Sequence, residues 1–131
     1  MNIAYVDTSG LVAIAFDEPG GRRLAQRLRR YDRLFASNLL EAEFRSALLR
    51  EQVDDRADSL LSWITWVYPN RPLTQEFKRI SAVGCLKGAD VWHLAHALFL
   101  APEGTGLDFL TLDARQREVS SVLGFRGMEP R

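Results

Sequence analysis

The chain reads as an α/β fold, with a mostly parallel sheet covered by helices on both faces. Three observations predict it. Short apolar-rich runs recur at Ile3–Val6, Leu34–Ala36 and Leu107–Leu112, as expected of strands buried on both faces. Segments with apolar residues at three- and four-residue spacing separate them. No repeat, low-complexity tract or long linker interrupts the 131 residues, so one domain over 1–131 is expected.

Each element follows from local pattern. Ile3 to Val6 is a strand ending in the cap-type residues Asp7-Thr8-Ser9-Gly10, and Leu11 to Phe16 reads as a short helix stopped near Pro19-Gly20-Gly21. From Arg22 to Tyr31, Leu24, Leu28 and Tyr31 share one helical side and Arg22, Arg23, Arg27 and Arg30 the other. Leu34–Ala36 is a second strand. Ser37 or Asn38 caps a helix running to about Gln52, with Leu40, Phe44, Ala47 and Leu48 as its buried stripe. Asp54 to Trp66 reads as another amphipathic helix, and Val67-Tyr68 as a third strand before the turn at Pro69-Asn70 and Pro72. Thr74 caps a helix from Gln75 to about Val83, and Gly84 and Gly88 bracket a loop. Asp90 to Leu100, apolar almost all round, reads as a buried central helix. Leu107–Leu112 is a fourth strand, Asp113 to Leu123 a final helix ended by Gly124, and Phe125 to Met128 a short fifth strand.

Composition sets limits. Hydrophobic residues make up 47% and charged residues 26%, an ordinary globular balance, and 17 basic side chains cancel 17 acidic ones. Net charge therefore neither suggests nor excludes a nucleic-acid partner. The single cysteine, Cys85, forms no internal disulfide, which fits a reducing cytosol. The N-terminus lacks the basic and long apolar regions of a signal peptide, and the longest apolar run, Val91 to Ala101, is too short to span a bilayer. A soluble cytoplasmic domain without membrane contact is expected.

The informative residues are Asp7, Glu43, Asp90 and Asp113. Singly, each has a bland explanation: Asp7, Asp90 and Asp113 stand where a cap or first-turn acid stabilises a helix by about 1 kcal/mol, and Glu43 lies on the margin of an apolar stripe. Glu41 lies on the opposite flank, so periodicity does not choose between the two glutamates. Asp54, Asp55 and Asp58 read as the first turn of an exposed helix, and Asp108 opens a strand. The set says more. Ligands of open parallel sheets bind beyond the carboxyl ends of the strands, where strand order reverses. Asp7 follows the first strand and Asp113 the fourth; if those strands are neighbours, the acids converge. Two carboxylates about 4 Å apart repel by roughly 4 kcal/mol at an effective dielectric near 20, so such a cluster calls for a hard cation. Magnesium suits it, taking one or two carboxylates, waters and substrate phosphate oxygens.

Four strings carry a family resemblance: Val6-Asp7-Thr8-Ser9; Leu40-Glu41-Ala42-Glu43-Phe44-Arg45-Ser46-Ala47-Leu48; Gly88-Ala89-Asp90-Val91-Trp92-His93-Leu94-Ala95; and Phe109-Leu110-Thr111-Leu112-Asp113. In this order and spacing the chain resembles a PIN-domain ribonuclease of the VapC toxin type over nearly its whole length. The resemblance implies a three-layer α/β/α sandwich around a short sheet of four to five mostly parallel strands. It also implies an endoribonuclease dependent on Mg2+ or Mn2+, acting as the toxin of a toxin–antitoxin pair. Its partners would be an RNA substrate (transfer RNA among the candidates), a small cognate antitoxin and a second copy in a homodimer. The family's acids fall on Asp7, Glu43, Asp90 and Asp113, none replaced; Glu43 is preferred to Glu41 because it precedes the apolar–Arg–x–Ala–Leu segment. Asp7, Asp90 and Asp113 are assigned to the metal, and Glu43 to orienting or deprotonating the attacking water or holding a second ion. Thr8 and Thr111 are supporting candidates.

Other features carry less. His93 and His96 lack the further Cys or His ligands a zinc site needs, and His93 reads as a core histidine with Asp90 as a possible acceptor. Arg22, Arg23, Arg27, Arg29, Arg30 and Arg33 form a solvated face or a phosphate-contacting one; Arg45 and Arg50 are further candidates. Trp63 and Trp66 read as helical core packing beside Leu60, Ile64 and Val67. There is no Gly-Lys-Ser/Thr phosphate loop and no Gly-x-Gly-x-x-Gly. The rival readings are a catalytically silent RNA-binding or assembly module of the same fold, and a phosphoacceptor domain, which would want an acidic pair near the first strand.

Overall fold

The computed structural model describes residues 1–52 and 57–127. Four parallel strands form one sheet: β1 (Ile3–Val6), β2 (Arg33–Ser37), β3 (Ile64–Val67) and β4 (Asp108–Leu110), in the order β3-β2-β1-β4. Helices α1 (Thr8–Ala15) and α2 (Gly21–Leu28) connect β1 to β2, and α3 (Leu39–Arg50) and α4 (Ala57–Leu61) connect β2 to β3. Helices α5 (Thr74–Val83) and α6 (Gly88–Leu100) precede β4, and α7 (Ala114–Val122) follows it.

The chain thus winds outward from β1 to β3, then returns past β1 to lay down β4. Crossovers between parallel strands are right-handed, so reversing direction sends the later helices to the opposite face. That gives the sandwich: α1 packs on α2 and α3, and α5 on α6 and α7. It also puts the switch point between β1 and β4, paired Ala4 to Asp108, Tyr5 to Phe109 and Val6 to Leu110.

The core forms where the apolar runs meet. Tyr5, Phe109, Leu110, Leu94, Leu98, Leu40 and Phe44 are almost wholly buried. Tyr5 stacks on Phe109 across the β1–β4 pair at 5.5 Å with an interplanar angle of 5°. Two glycines mark places where backbones touch. A Cβ on Gly21 would lie 2.4 Å from the Ala13 carbonyl oxygen, which lets α2 start hard against α1. Gly104, with φ +77°, would set its Cβ 2.7 Å from the backbone of Leu123 and Gly124.

Several expectations shift. The helix expected over Asp54–Trp66 is shorter: α4 covers Ala57–Leu61, and Ile64-Thr65-Trp66-Val67 is strand β3, three residues ahead of its expected start. Asp54 and Asp55 lie outside the described residues. β3 buries Ile64 and Val67, three apart, which imitates a helical stripe in the sequence. Trp66 is half-buried against the core, while Trp63 is exposed. The fifth strand reduces to one parallel bridge between Asp108 and Arg126; Met128 lies outside the described residues. Helix α1 begins directly after Asp7, and α5 is preceded by Leu73 with Thr74 already inside it.

Candidate active site

β1 delivers Asp7 to the carboxyl edge of the sheet. Its backbone N–H donates to the Leu110 carbonyl (3.2 Å), fixing it beside the end of β4. Asp7 is the N-cap of α1 but accepts no side-chain cap bond there. Instead its Oδ1 accepts from the Ser9 hydroxyl (2.8 Å), and its Oδ2 lies 3.0 Å from the Thr111 hydroxyl. Burial pushes the Asp7 carboxyl up to about 6, against the lowering effects of Ser9, His93, Thr111 and the Gly10 backbone.

Thr111 and Gln116 tie the later acids to Asp7. The Thr111 oxygen accepts from the Asp113 backbone N–H (3.1 Å) and also lies 2.8 Å from Gln116 Oε1. The Gln116 amide donates to the Asp90 carbonyl (3.3 Å), and its backbone N–H donates to Asp113 Oδ1 (2.8 Å), which caps α7. One hydroxyl proton on Thr111 faces two acceptors, a shortage that a proton on Asp7 relieves. Asp90, third residue of α6 and part-exposed, has its carboxyl raised by burial and then by the charge of Asp113, with a smaller contribution from Glu43. These acids feel one another.

Glu43 is held from the other side. The buried Tyr5 hydroxyl accepts from the Ser37 N–H (2.9 Å) and lies 2.8 Å from His93 Nδ1. Burial raises the Tyr5 pKa, so the phenol keeps its proton and donates it to Nδ1. With Nδ1 accepting from Tyr5, the His93 ring presents an N–H on Nε2, 3.1 Å from Glu43 Oε1. That oxygen also accepts from the Thr8 hydroxyl (2.6 Å). The His93 bond, followed by the Thr8 bond, holds the Glu43 carboxyl below its ordinary range although part-burial opposes this. Oε1 is thereby fully engaged, and Oε2 has no partner among the described residues. His93 is a core histidine, as the sequence suggested, but its acceptor is Glu43 and not Asp90.

None of the four acids forms a salt bridge with Lys or Arg among the described residues. Other acids do: Glu41 and Asp58 with Arg45, Glu76 with Arg71, and Asp108 with Arg27. Asp108 opens β4, where Arg27 of α2 and Tyr31 both reach it, away from the carboxyl edge. Arg27 is thus committed internally. No group of three or more His, Cys, Asp or Glu side chains among the described residues is arranged to hold a metal ion outright. A zinc site would need three or four direct protein ligands. Magnesium demands fewer, since waters and phosphate oxygens complete its shell. The all-oxygen side chains, the repulsion between Asp90 and Asp113 and the absence of Lys or Arg salt bridges to the four acids among the described residues fit that ion.

Sequence reasoning missed three supports. Tyr5 lies in the first strand, Ser9 among the cap-type residues and Gln116 in the final helix, and those places alone do not mark their bonds at the site. The available signal was a polar residue one turn past Asp113 on the same helix as Val119.

The PIN domain family matches residues 4–122. The solved structure of VapBC-1 from nontypeable Haemophilus influenzae superposes with a TM-score of 0.71 at 18% identity, covering 97% of each chain. No curated protein matches the chain.

Proposed function

Because this chain belongs to the PIN-domain family, we propose that it is a metal-dependent endoribonuclease of the VapC kind, the toxin of a toxin–antitoxin pair. Among the described residues no helix is long and apolar enough to cross a membrane, and a cytoplasmic site of action is part of the proposal. A small antitoxin as partner is suggested by the likeness to VapBC-1, and a homodimer and transfer RNA by the sequence resemblance.

One observation carries the reading: Asp7 is buried at the β1–β4 switch point and bridged through Thr111 and Gln116 to the turns bearing Asp113 and Asp90. Asp7, Asp90 and Asp113 would hold Mg2+ or Mn2+, directly or through water, with Glu43 as a further ligand or water-side base. Bound there, the ion would lower the pKa of a water and offset charge on the phosphoryl oxygens. The chain's own groups do the rest. Thr8 and His93 hold Glu43 Oε1, leaving Oε2 to orient or accept a proton from a water aligned for attack. Thr111 and Ser9 fix the Asp7 carboxylate so that both oxygens keep their aim. Lys87, preceding α6, is near enough to lower the Asp90 pKa and offers a cation for a substrate phosphate.

The test is cleavage of RNA with magnesium by the wild type and by Asp7→Asn and Asp90→Asn. Both variants should lose cleavage by at least about 100-fold while keeping native circular dichroism. Cleavage surviving in both ends the site assignment; absence of cleavage in a folded wild type favours a silent RNA-binding module.

A further inference from the structure

The carboxyl edge of the sheet carries a second feature. Beyond the ends of β2 and β3 lies a cavity of about 400 Å3, within the usual range of small-ligand sites. Its walls include Tyr68, Phe77, Trp92, His96 and Asn38. Trp92, two residues after Asp90 on α6, is held by its indole N–H donating to Ser37 Oγ (2.7 Å). Its ring lies 6.3 Å from Phe77 and 4.6 Å from His96. Tyr68 and Trp92 nevertheless remain 66% and 40% exposed, an unusual expense for two large rings in one place.

His96 supplies the decisive detail. It is 3% exposed, and its Nδ1 lies 2.8 Å from the Trp92 carbonyl, which can only accept. Nδ1 therefore donates, and burial keeps the ring neutral by lowering its pKa. His96 lines the cavity, and its Nε2 is then an acceptor with no partner among the described residues. An apolar side chain entering the cavity would leave that acceptor unpaired, whereas a flat ring with an N–H on its edge satisfies both the aromatic walls and Nε2.

We propose that this pocket receives one unpaired base of the RNA, stacked on Trp92 and Tyr68, with an edge N–H of the base donating to His96 Nε2. The inference rests on the nuclease reading for its choice of ligand: the acids Asp7 and Asp113 follow β1 and β4 and the pocket lies beyond β2 and β3, so a single strand running along this sheet edge past the acids reaches the pocket. Stacking of a base on an aromatic side chain is sequence-tolerant, and the hydrogen bond to Nε2 adds selection among bases.

Nucleoside 5′-monophosphates titrated into the full chain in EDTA test this without catalysis, read by the NMR signals of the Trp92 indole N–H and the His96 ring. Nucleotides should shift both signals and ribose 5-phosphate neither. Tyr68→Ala should weaken binding about tenfold. His96→Asn, which can keep a donor on the Trp92 carbonyl but lacks Nε2, should do likewise with native circular dichroism. Equal shifts from ribose 5-phosphate, or none from any nucleotide, overturn the proposal. So does N-acetyltryptophanamide binding as tightly as a nucleotide, which would assign the pocket to a protein partner. A changed sedimentation coefficient in Tyr68→Ala would assign it to a second copy, with the same consequence. A chain that cuts RNA yet ignores nucleotides here keeps the nuclease reading and loses the pocket; one that binds nucleotides here and cuts nothing does the reverse.

Discussion

Glu41 and Glu43 stand two residues apart on α3 and are put to different uses. Glu41 accepts from Arg45 in an exposed i,i+4 pair that Arg45 shares with Asp58. Such pairs are worth little in water. Glu43 instead turns toward Thr8 and His93. The sequence alone left the two glutamates on opposite flanks of one stripe, and only the resemblance chose between them. What decides the matter physically is a tyrosine 38 positions upstream (Tyr5 to Glu43), whose hydroxyl sets the His93 tautomer; no local pattern reveals that. Thr8→Val should therefore lower kcat by about tenfold, since Glu43 loses its shortest bond. Glu41→Gln should leave kcat within twofold. Steady-state cleavage kinetics compare them, and equal losses in the two variants would contradict this account of Glu43.

At the scale of elements, strand pairing does the assembling. β1 and β4 are far apart in sequence, yet their pairing sets Asp7 beside Thr111, and α7 begins at once with Asp113 as its cap. Both strand ends were legible because a short apolar run followed by a cap residue is a strong local signal. The start of β3 was not, because Leu60, Ile64 and Val67 fall at spacings of four and three whether the segment is helix or strand. Ile64, Thr65 and Val67 are β-branched, and pairing with Leu34, Phe35, Ala36 and Ser37 of β2 settles their state. The α1–α2 contact is the tightest test of packing near the site. Gly21→Ala would drive a methyl into the Ala13 carbonyl, and we expect a loss of about 1–3 kcal/mol in urea unfolding. An unchanged midpoint would show that α2 can retreat from α1 at little cost.

For the whole molecule, the acids make stability depend on pH. Asp7 is raised from 3.8 to about 6 in the folded chain. Between those values the native state binds more protons than the unfolded one, so stability falls as pH rises from about 4 through 6 and levels off above. In EDTA the wild type should be less stable at pH 7 than at pH 5, by roughly 1 kcal/mol from Asp7. Asp7→Asn should remove that part of the slope and be the more stable protein at pH 7. Thermal melts of both at the two pH values check it; parallel slopes would mean that Asp7 ionises freely. The broad architecture was legible because chain order, apolar runs and helical stripes jointly specify a parallel sheet. The bonds of Thr8 and His93 to Glu43 and of Thr111 to Asp7 were not, because they join residues 35 to 104 positions apart.

Manganese titration followed by electron paramagnetic resonance addresses the central point most directly, since the free hydrated ion has its own signal. The wild type at pH 7.5 should remove that signal saturably, and magnesium should restore it by competition. Asp7→Asn and Asp90→Asn should each weaken binding at least about tenfold, and Glu41→Gln should not. Wild-type chain that leaves the manganese signal untouched, or acid variants that bind as tightly as it does, would contradict the account.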